Sequence, residues 1–136
     1  MSLCILAAGK VTTLAATAFT LMWTHSIERV EWQEDWRLSE RGLEIVEARI
    51  KGSGAGMEPP DGAVLEGDWW RYKPKLAPLK ELRLAASGAT QSGWRLCTSE
   101  TCLTLGAETN PDGISVARCT GVDEQGAQAH PPARPR

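Results

Sequence analysis

The sequence is short of several things that would have narrowed its role at once. Against six tryptophans it carries one phenylalanine and one tyrosine, and it has only two histidines. So little imidazole excludes a multi-histidine metal centre. The four cysteines, at 4, 97, 102 and 119, lack the paired Cys-x-x-Cys spacing of a structural zinc site. No basic excess exists either: 15 Lys and Arg face 17 Asp and Glu, a formal net charge of -2, so few unopposed cations are left to neutralise phosphates or an anionic membrane surface. Nucleic acid is not an expected partner. The longest mildly apolar run, Val11 to Trp23, is interrupted by Thr12, Thr13, Thr17 and Thr20 and falls short of the roughly 20 apolar residues of a spanning helix. No membrane span is expected. The opening Met1-Ser2-Leu3-Cys4-Ile5-Leu6-Ala7-Ala8-Gly9 has no basic residues ahead of its apolar part, which speaks against a secretory signal in these residues. A cytoplasmic location is the default expectation, with the periplasm as the alternative.

What is present fits one small domain. A chain of 136 residues with 42% hydrophobic and 24% charged residues has room for a single core and enough apolar side chains to fill it. Residues 1–122 are expected to form that domain. Residues 123–136 are expected to be a disordered tail, because Gln125 to Arg136, which includes His130, has nothing to bury. Elsewhere apolar residues recur at every second position between glycine-rich or polar turns, the period of strands and not of helices. Phe19, Leu21, Trp23, His25 and Ile27 share one face of a strand; Trp32, Glu34, Trp36 and Leu38 share one face of the next. After the turn Ser39-Glu40-Arg41-Gly42 comes Leu43 to Ile50, where Val46, Ala48 and Ile50 alternate against Leu43 and Ile45. Further strands are expected at 3–7, 13–16, 81–86, 93–97, 102–105 and 114–118. Gly52 to Pro78 shows no strand pattern and reads as an irregular Gly/Pro-rich excursion pinned by Trp69 and Trp70. Several of the six tryptophans are expected in the core. The fold class is all-β, a small antiparallel sandwich or partly open barrel.

Hairpin register yields a candidate site. An even loop between the first two long strands keeps both apolar faces together and sets Trp23 opposite Trp36 and His25 opposite Glu34. The next hairpin pairs Leu38 with Leu43, Trp36 with Ile45 and Glu34 with Glu47. His25, Glu34 and Glu47 then form one lateral row, with Arg49 two positions from Glu47. Two neighbouring buried carboxylates need a cation or a shared proton. The row serves as a register-setting polar ladder, as a binding site for a small polar solute, or as an acid/base pair of His25 and Glu34 in a hydrolase or metal-dependent enzyme. Ser26 points away from His25, which disfavours a serine nucleophile. No metal ligand set and no cofactor is expected. Ser53-Gly54-Ala55-Gly56 lacks the Lys-Ser/Thr end of a phosphate loop and reads as a turn. Cys97 and Cys102 flank Thr-Ser-Glu-Thr, so a hairpin there brings their sulfurs within bridging distance, and Cys4 and Cys119 can close a second pair; four reduced buried thiols are the other reading.

The segments Phe19 to Glu28, with Thr24-His25-Ser26-x-Glu28 inside it, Glu34-Asp35-Trp36-Arg37, and Gly52-Ser53-Gly54-Ala55-Gly56-Met57-Glu58-Pro59-Pro60 resemble the bacterial domain of unknown function DUF1850 from about Leu3 to Cys119. The resemblance implies a small, mainly β domain, often encoded beside TRAP-type solute transporters of the TAXI class, without an assigned activity. The expected function is that of a non-enzymatic binding or accessory module, with His25, Ser26, Glu28, Glu34, Glu47 and Arg49 as its contact residues and a transporter subunit or small polar solute as partner. A purely structural protein-interaction domain is a further reading, and it predicts an exposed apolar patch around Trp69 and Trp70.

Overall fold

A computed structural model describes residues 1–24, 30–51, 60–86, 93–106 and 110–120. Among them are eleven strands and no helix: β1 (Ser2–Ala7), β2 (Lys10–Ala15), β3 (Ala18–Thr24), β4 (Glu31–Ser39), β5 (Gly42–Lys51), β6 (Val64–Glu66), β7 (Trp69–Tyr72), β8 (Glu81–Ala86), β9 (Trp94–Cys97), β10 (Cys102–Leu105) and β11 (Asn110–Arg118). They form two antiparallel sheets, one ordered β2-β1-β11-β8 and the other β10-β9-β3-β4-β5-β7-β6. The all-β expectation holds, and of its two forms the sandwich is the one adopted.

The core lies between the sheets. Leu3, Ile5, Leu82, Leu84, Ile114 and Val116 descend from the four-stranded sheet onto Phe19, Leu21, Trp36, Leu43, Ile45 and Leu96 of the seven-stranded one. Each such side chain contributes about 1.5–3 kcal/mol by leaving water, so this layer dominates stability. Only Trp36 among the tryptophans is fully buried, at 1% exposure. Trp23 and Trp94 pack against the core from one end, and Trp32, Trp69 and Trp70 are half-buried. The expectation that several tryptophans build the core is met by Trp36 with flanking support, not by the set.

Turn chemistry explains the hairpins. Ala8 and Gly9, between β1 and β2, have φ of 51° and 77°, the pair of positive values that a tight primed turn requires. Gly42 has φ of 118°, and a Cβ there would collide with the carbonyl oxygen of Leu79. That close approach lets Leu43 and Leu79 exchange two backbone hydrogen bonds, of 2.7 and 2.9 Å, which bind the segment before β8 to the start of β5. The cysteines form two disulfides, Cys4–Cys119 and Cys97–Cys102.

Two expectations require correction. The segment Gly52 to Pro78 is not wholly irregular, since 64–72 contains the β6–β7 hairpin. Its two-residue turn is Gly67-Asp68, with Gly67 at φ of 61°, and Glu66 lies opposite Trp69. Dense glycine and proline on both sides mask a Gly-X turn of the kind that favours hairpins. The second correction is the register of β3 and β4. Trp23 faces Trp32, Leu21 faces Glu34 and Phe19 faces Trp36, a slide of four residues from the expected pairing. The slide preserves which side chains face inward, so facial pattern alone does not distinguish the two.

Candidate functional site

The expected row of His25, Glu34 and Glu47 depended on register at both hairpins. His25, Ser26 and Glu28 lie outside the described residues, as do Ser53 to Gly56 and His130. Glu34 sits opposite Leu21 on β3 and opposite Ala48 on β5, so the pairing that motivated an acid/base couple of His25 and Glu34 is absent. Glu47 is displaced for a different reason. Between Trp36↔Ile45 and Asp35↔Glu47 the β4–β5 ladder shifts by one residue, which leaves Val46 as the extra residue of a β-bulge. Past a bulge the inward and outward parity of a strand is exchanged. Leu43 and Ile45 point inward before it, Ala48 and Ile50 after it, and Glu47 and Arg49 are carried to the outer face. The spacing 43, 45, 48, 50 of the apolar residues was the sequence signal.

The candidate residues thus divide between two faces of one sheet. On the inner face Glu34 Oε1 accepts a 3.1 Å hydrogen bond from the Trp36 indole, which satisfies a donor otherwise stranded in the core. On the outer face Arg49 is the centre of a charged lattice that sequence reading placed only in part. It grips Asp35 with two nitrogens, at 2.7 and 3.0 Å, contacts Glu47 at 2.7 Å, and donates twice to Gln33 Oε1. Thr20 donates to Asp35 at 2.8 Å. Glu47 also binds Arg71 at 2.7 Å, and Arg71 pairs with Glu66 on the edge strand. Arg49 and Arg71 are direct cross-strand neighbours, a repulsive pair that the shared Glu47 carboxylate offsets. The hydrogen bonds from Arg49 hold the Asp35 carboxyl below its ordinary range, against the opposing effect of partial burial. Asp35 in turn raises the Arg49 guanidinium above its usual value. With its donors occupied in this way, the lattice is a brace across β3, β4, β5, β7 and β6.

The inner face offers a different surface. One lateral row crosses the sheet where β3 ends and β4 begins: Trp23 faces Trp32, Trp32 faces Ile50, Ile50 faces Trp70 and Trp70 faces Leu65. Trp94 extends the row on the β9 side, its ring 5.0 Å from Trp23, while Trp23 and Trp32 stack at 5.9 Å. The Trp94 indole donates to Ala85 O at 2.9 Å; the buried Trp32 Nε1 has no acceptor among the described residues. At the far end of the row, β6 is the outermost strand and all three of its residues are exposed, Val64 at 59% and Leu65 at 51%. Beside the half-buried Trp69 and Trp70, the two exposed apolar side chains of β6 point to opposite faces, Leu65 with Trp70 and Val64 with Arg71. No group of three or more His, Cys, Asp or Glu side chains among the described residues is arranged to hold a metal ion.

The family model described as a domain of unknown function (DUF1850) matches residues 19–105. The chain belongs to the DUF1850 family. The match covers more than half of the chain but is shorter at both ends than the resemblance from 3 to 119, and its limits follow the architecture. All of the seven-stranded sheet except Ala18 falls in it, together with β8; the remaining strands β1, β2 and β11 belong to the four-stranded sheet. The DUF1850 match thus holds both candidate surfaces, the lattice and the tryptophan row. No curated protein and no solved structure matches the chain.

Proposed function

We propose that this DUF1850 domain is a non-enzymatic accessory module that binds an extended strand of a protein partner along β6. The observation that carries the reading is an open, apolar sheet edge. β6 is hydrogen-bonded only to β7 among the described strands, and its Val64 and Leu65 side chains stand in solvent on opposite faces. Free edges attract further strands, and the one charge on β6, Glu66, is paired with Arg71. Strand addition draws affinity from main-chain hydrogen bonds and selectivity from alternate side chains. Here an incoming strand would meet Leu65 and Trp70 on one face and Val64 and Arg71 on the other. The family resemblance points to a subunit of a solute transporter as the source of that strand, and the two disulfides support a place in an oxidising compartment.

Selection of displayed peptides, followed by amide chemical-shift mapping, tests the reading. Bound peptides are expected to shift the amides of Val64, Leu65 and Glu66, and Leu65→Lys is expected to weaken them at least about tenfold, about 1.4 kcal/mol. Peptides that bind the variant equally well would contradict it. A second reading places a small polar solute at the Trp23, Trp32 and Trp94 end, where β3 continues in sequence into His25, Ser26 and Glu28. The Trp32 indole donor, which has no acceptor among the described residues, favours it. A solute that shifts the Trp32 indole signal in wild type and loses its thermal stabilisation in His25→Ala would support this second site; equal stabilisation of both proteins would count against it.

A further inference from the structure

The two disulfides differ in the length of chain they close and in whether either sulfur is exposed: Cys119, like Cys97, is half-buried, and only Cys102 is exposed. Cys4 lies in β1 between β2 and β11, at 7% exposure, and its bridge to Cys119 joins residues 115 apart in sequence. Cys97 and Cys102 face one another across the β9–β10 hairpin, five residues apart, on the outer face of an edge. Cys102 is exposed and Cys97 half-buried.

The hairpin has ties besides its bridge. Thr98 N donates to Thr101 O at 2.8 Å, Thr98 Oγ1 accepts from the amides of Glu100 and Thr101 at 3.2 Å, and Leu103 and Leu105 anchor β10 to the core. If the bridge opened, the two sulfurs would remain opposite each other, poised to close again. Arg95 lies two positions before Cys97 on the same face and is exposed; a cation there favours a thiolate leaving from Cys97.

We propose that Cys97–Cys102 is a reversible thiol–disulfide exchange site, opened in the folded domain by a dithiol while Cys4–Cys119 stays closed. A thiolate of the dithiol attacks the exposed Cys102 sulfur, forming a mixed disulfide and expelling the Cys97 thiolate, which takes a proton. The second thiol of the reductant then attacks its own sulfur in the mixed disulfide and releases Cys102. The dithiol is oxidised to a disulfide and the protein gains two thiols, so two electrons pass in all. Exposed bridges are the labile ones, and the attacked sulfur must be reachable. β10 then keeps only its hydrogen bonds and two leucines, and becomes the loosest strand of that edge.

Native protein titrated with dithiothreitol, quenched by alkylation and mapped by peptide mass, decides the point. Cys97 and Cys102 are expected to be labelled at least about tenfold faster than Cys4 and Cys119, with the near-UV spectrum retained and the bridge re-forming when the reductant is removed. Labelling of both pairs together, labelling of Cys4 and Cys119 first, or labelling of Cys97 and Cys102 only as the spectrum is lost would overturn the proposal. The variant C97S/C102S separates reduction from folding: it should keep the native spectrum and the slow labelling of Cys4 and Cys119. Collapse of that spectrum would show the bridge to be structural and would equally overturn the proposal.

Discussion

The seven-stranded sheet has two parts that obey different rules. From β10 to β5 its inner face is covered by the four-stranded sheet, and this part supplies Phe19, Leu21, Trp36, Leu43, Ile45 and Leu96 to the core. The β7–β6 wing supplies none of the buried hydrophobic residues, yet it exposes Val64 and Leu65. Burial stabilises the first part and constrains each of its positions. The wing is held by backbone pairing, by Tyr72 at the edge of the core, and by the charged lattice that runs from Asp35 through Arg49 and Glu47 to Arg71 and Glu66. A region built this way contributes little to the core.

Changes in the covered part should be severe. Deleting Val46 removes the residue that lets β5 exchange faces, so either Ala48 and Ile50 turn to solvent or Glu47 and Arg49 turn inward. A slip of one residue reverses every side chain beyond it, and loss of the cooperative unfolding transition is the expected result, read by chemical denaturation. Trp36→Ala should cost about 3–5 kcal/mol, through lost burial and the cavity left behind. Cooperative folding of the Val46 deletion, or a small loss at Trp36, would break the distinction between the two parts.

The lattice joining the parts should give intermediate effects. Arg49→Met leaves Asp35 and Glu47 without their main partner and should cost about 1–3 kcal/mol, with faster amide exchange in β7 and β6. Acid provides a gentler version of the same break. Because the folded Asp35 carboxyl titrates below its unfolded value, its contribution is complete above the ordinary Asp range near 3.8 and is lost as the pH falls through the lower folded value. Urea denaturation from about pH 6 to about pH 2 should therefore show a falling limb that is shallower in Arg49→Met. An identical limb in the two proteins would place the acid sensitivity elsewhere.

These two parts were not equally legible in the sequence. Alternation of Phe19, Leu21 and Trp23, and of Trp36 and Leu38, is enough to assign strands and inward faces, and the pairing of Leu38 with Leu43 follows from the Ser39 to Gly42 turn. Facial alternation has a period of two, however, so a slide of four residues between β3 and β4 leaves no trace in it. The bulge was visible as an irregular beat from Ile45 to Ala48, but its consequence, the transfer of Glu47 and Arg49 to the opposite face from Glu34, follows only once the extra residue is assigned to Val46. Alternation puts Asp35, between Glu34 and Trp36, on the outward face, but its partner Arg49 follows only from the bulge. The wing was hidden because a three-residue strand beside Gly67-Asp68 is too short to show a period among so many glycines and prolines.

The most direct test of the account is the stability of Leu65→Lys, a charge placed at the centre of β6. Denaturation should show a change within about 0.5 kcal/mol of wild type, as for a surface site that holds no core. A loss above about 2 kcal/mol would mean that the wing is part of the folding unit, and the case for a free binding edge would fail with it.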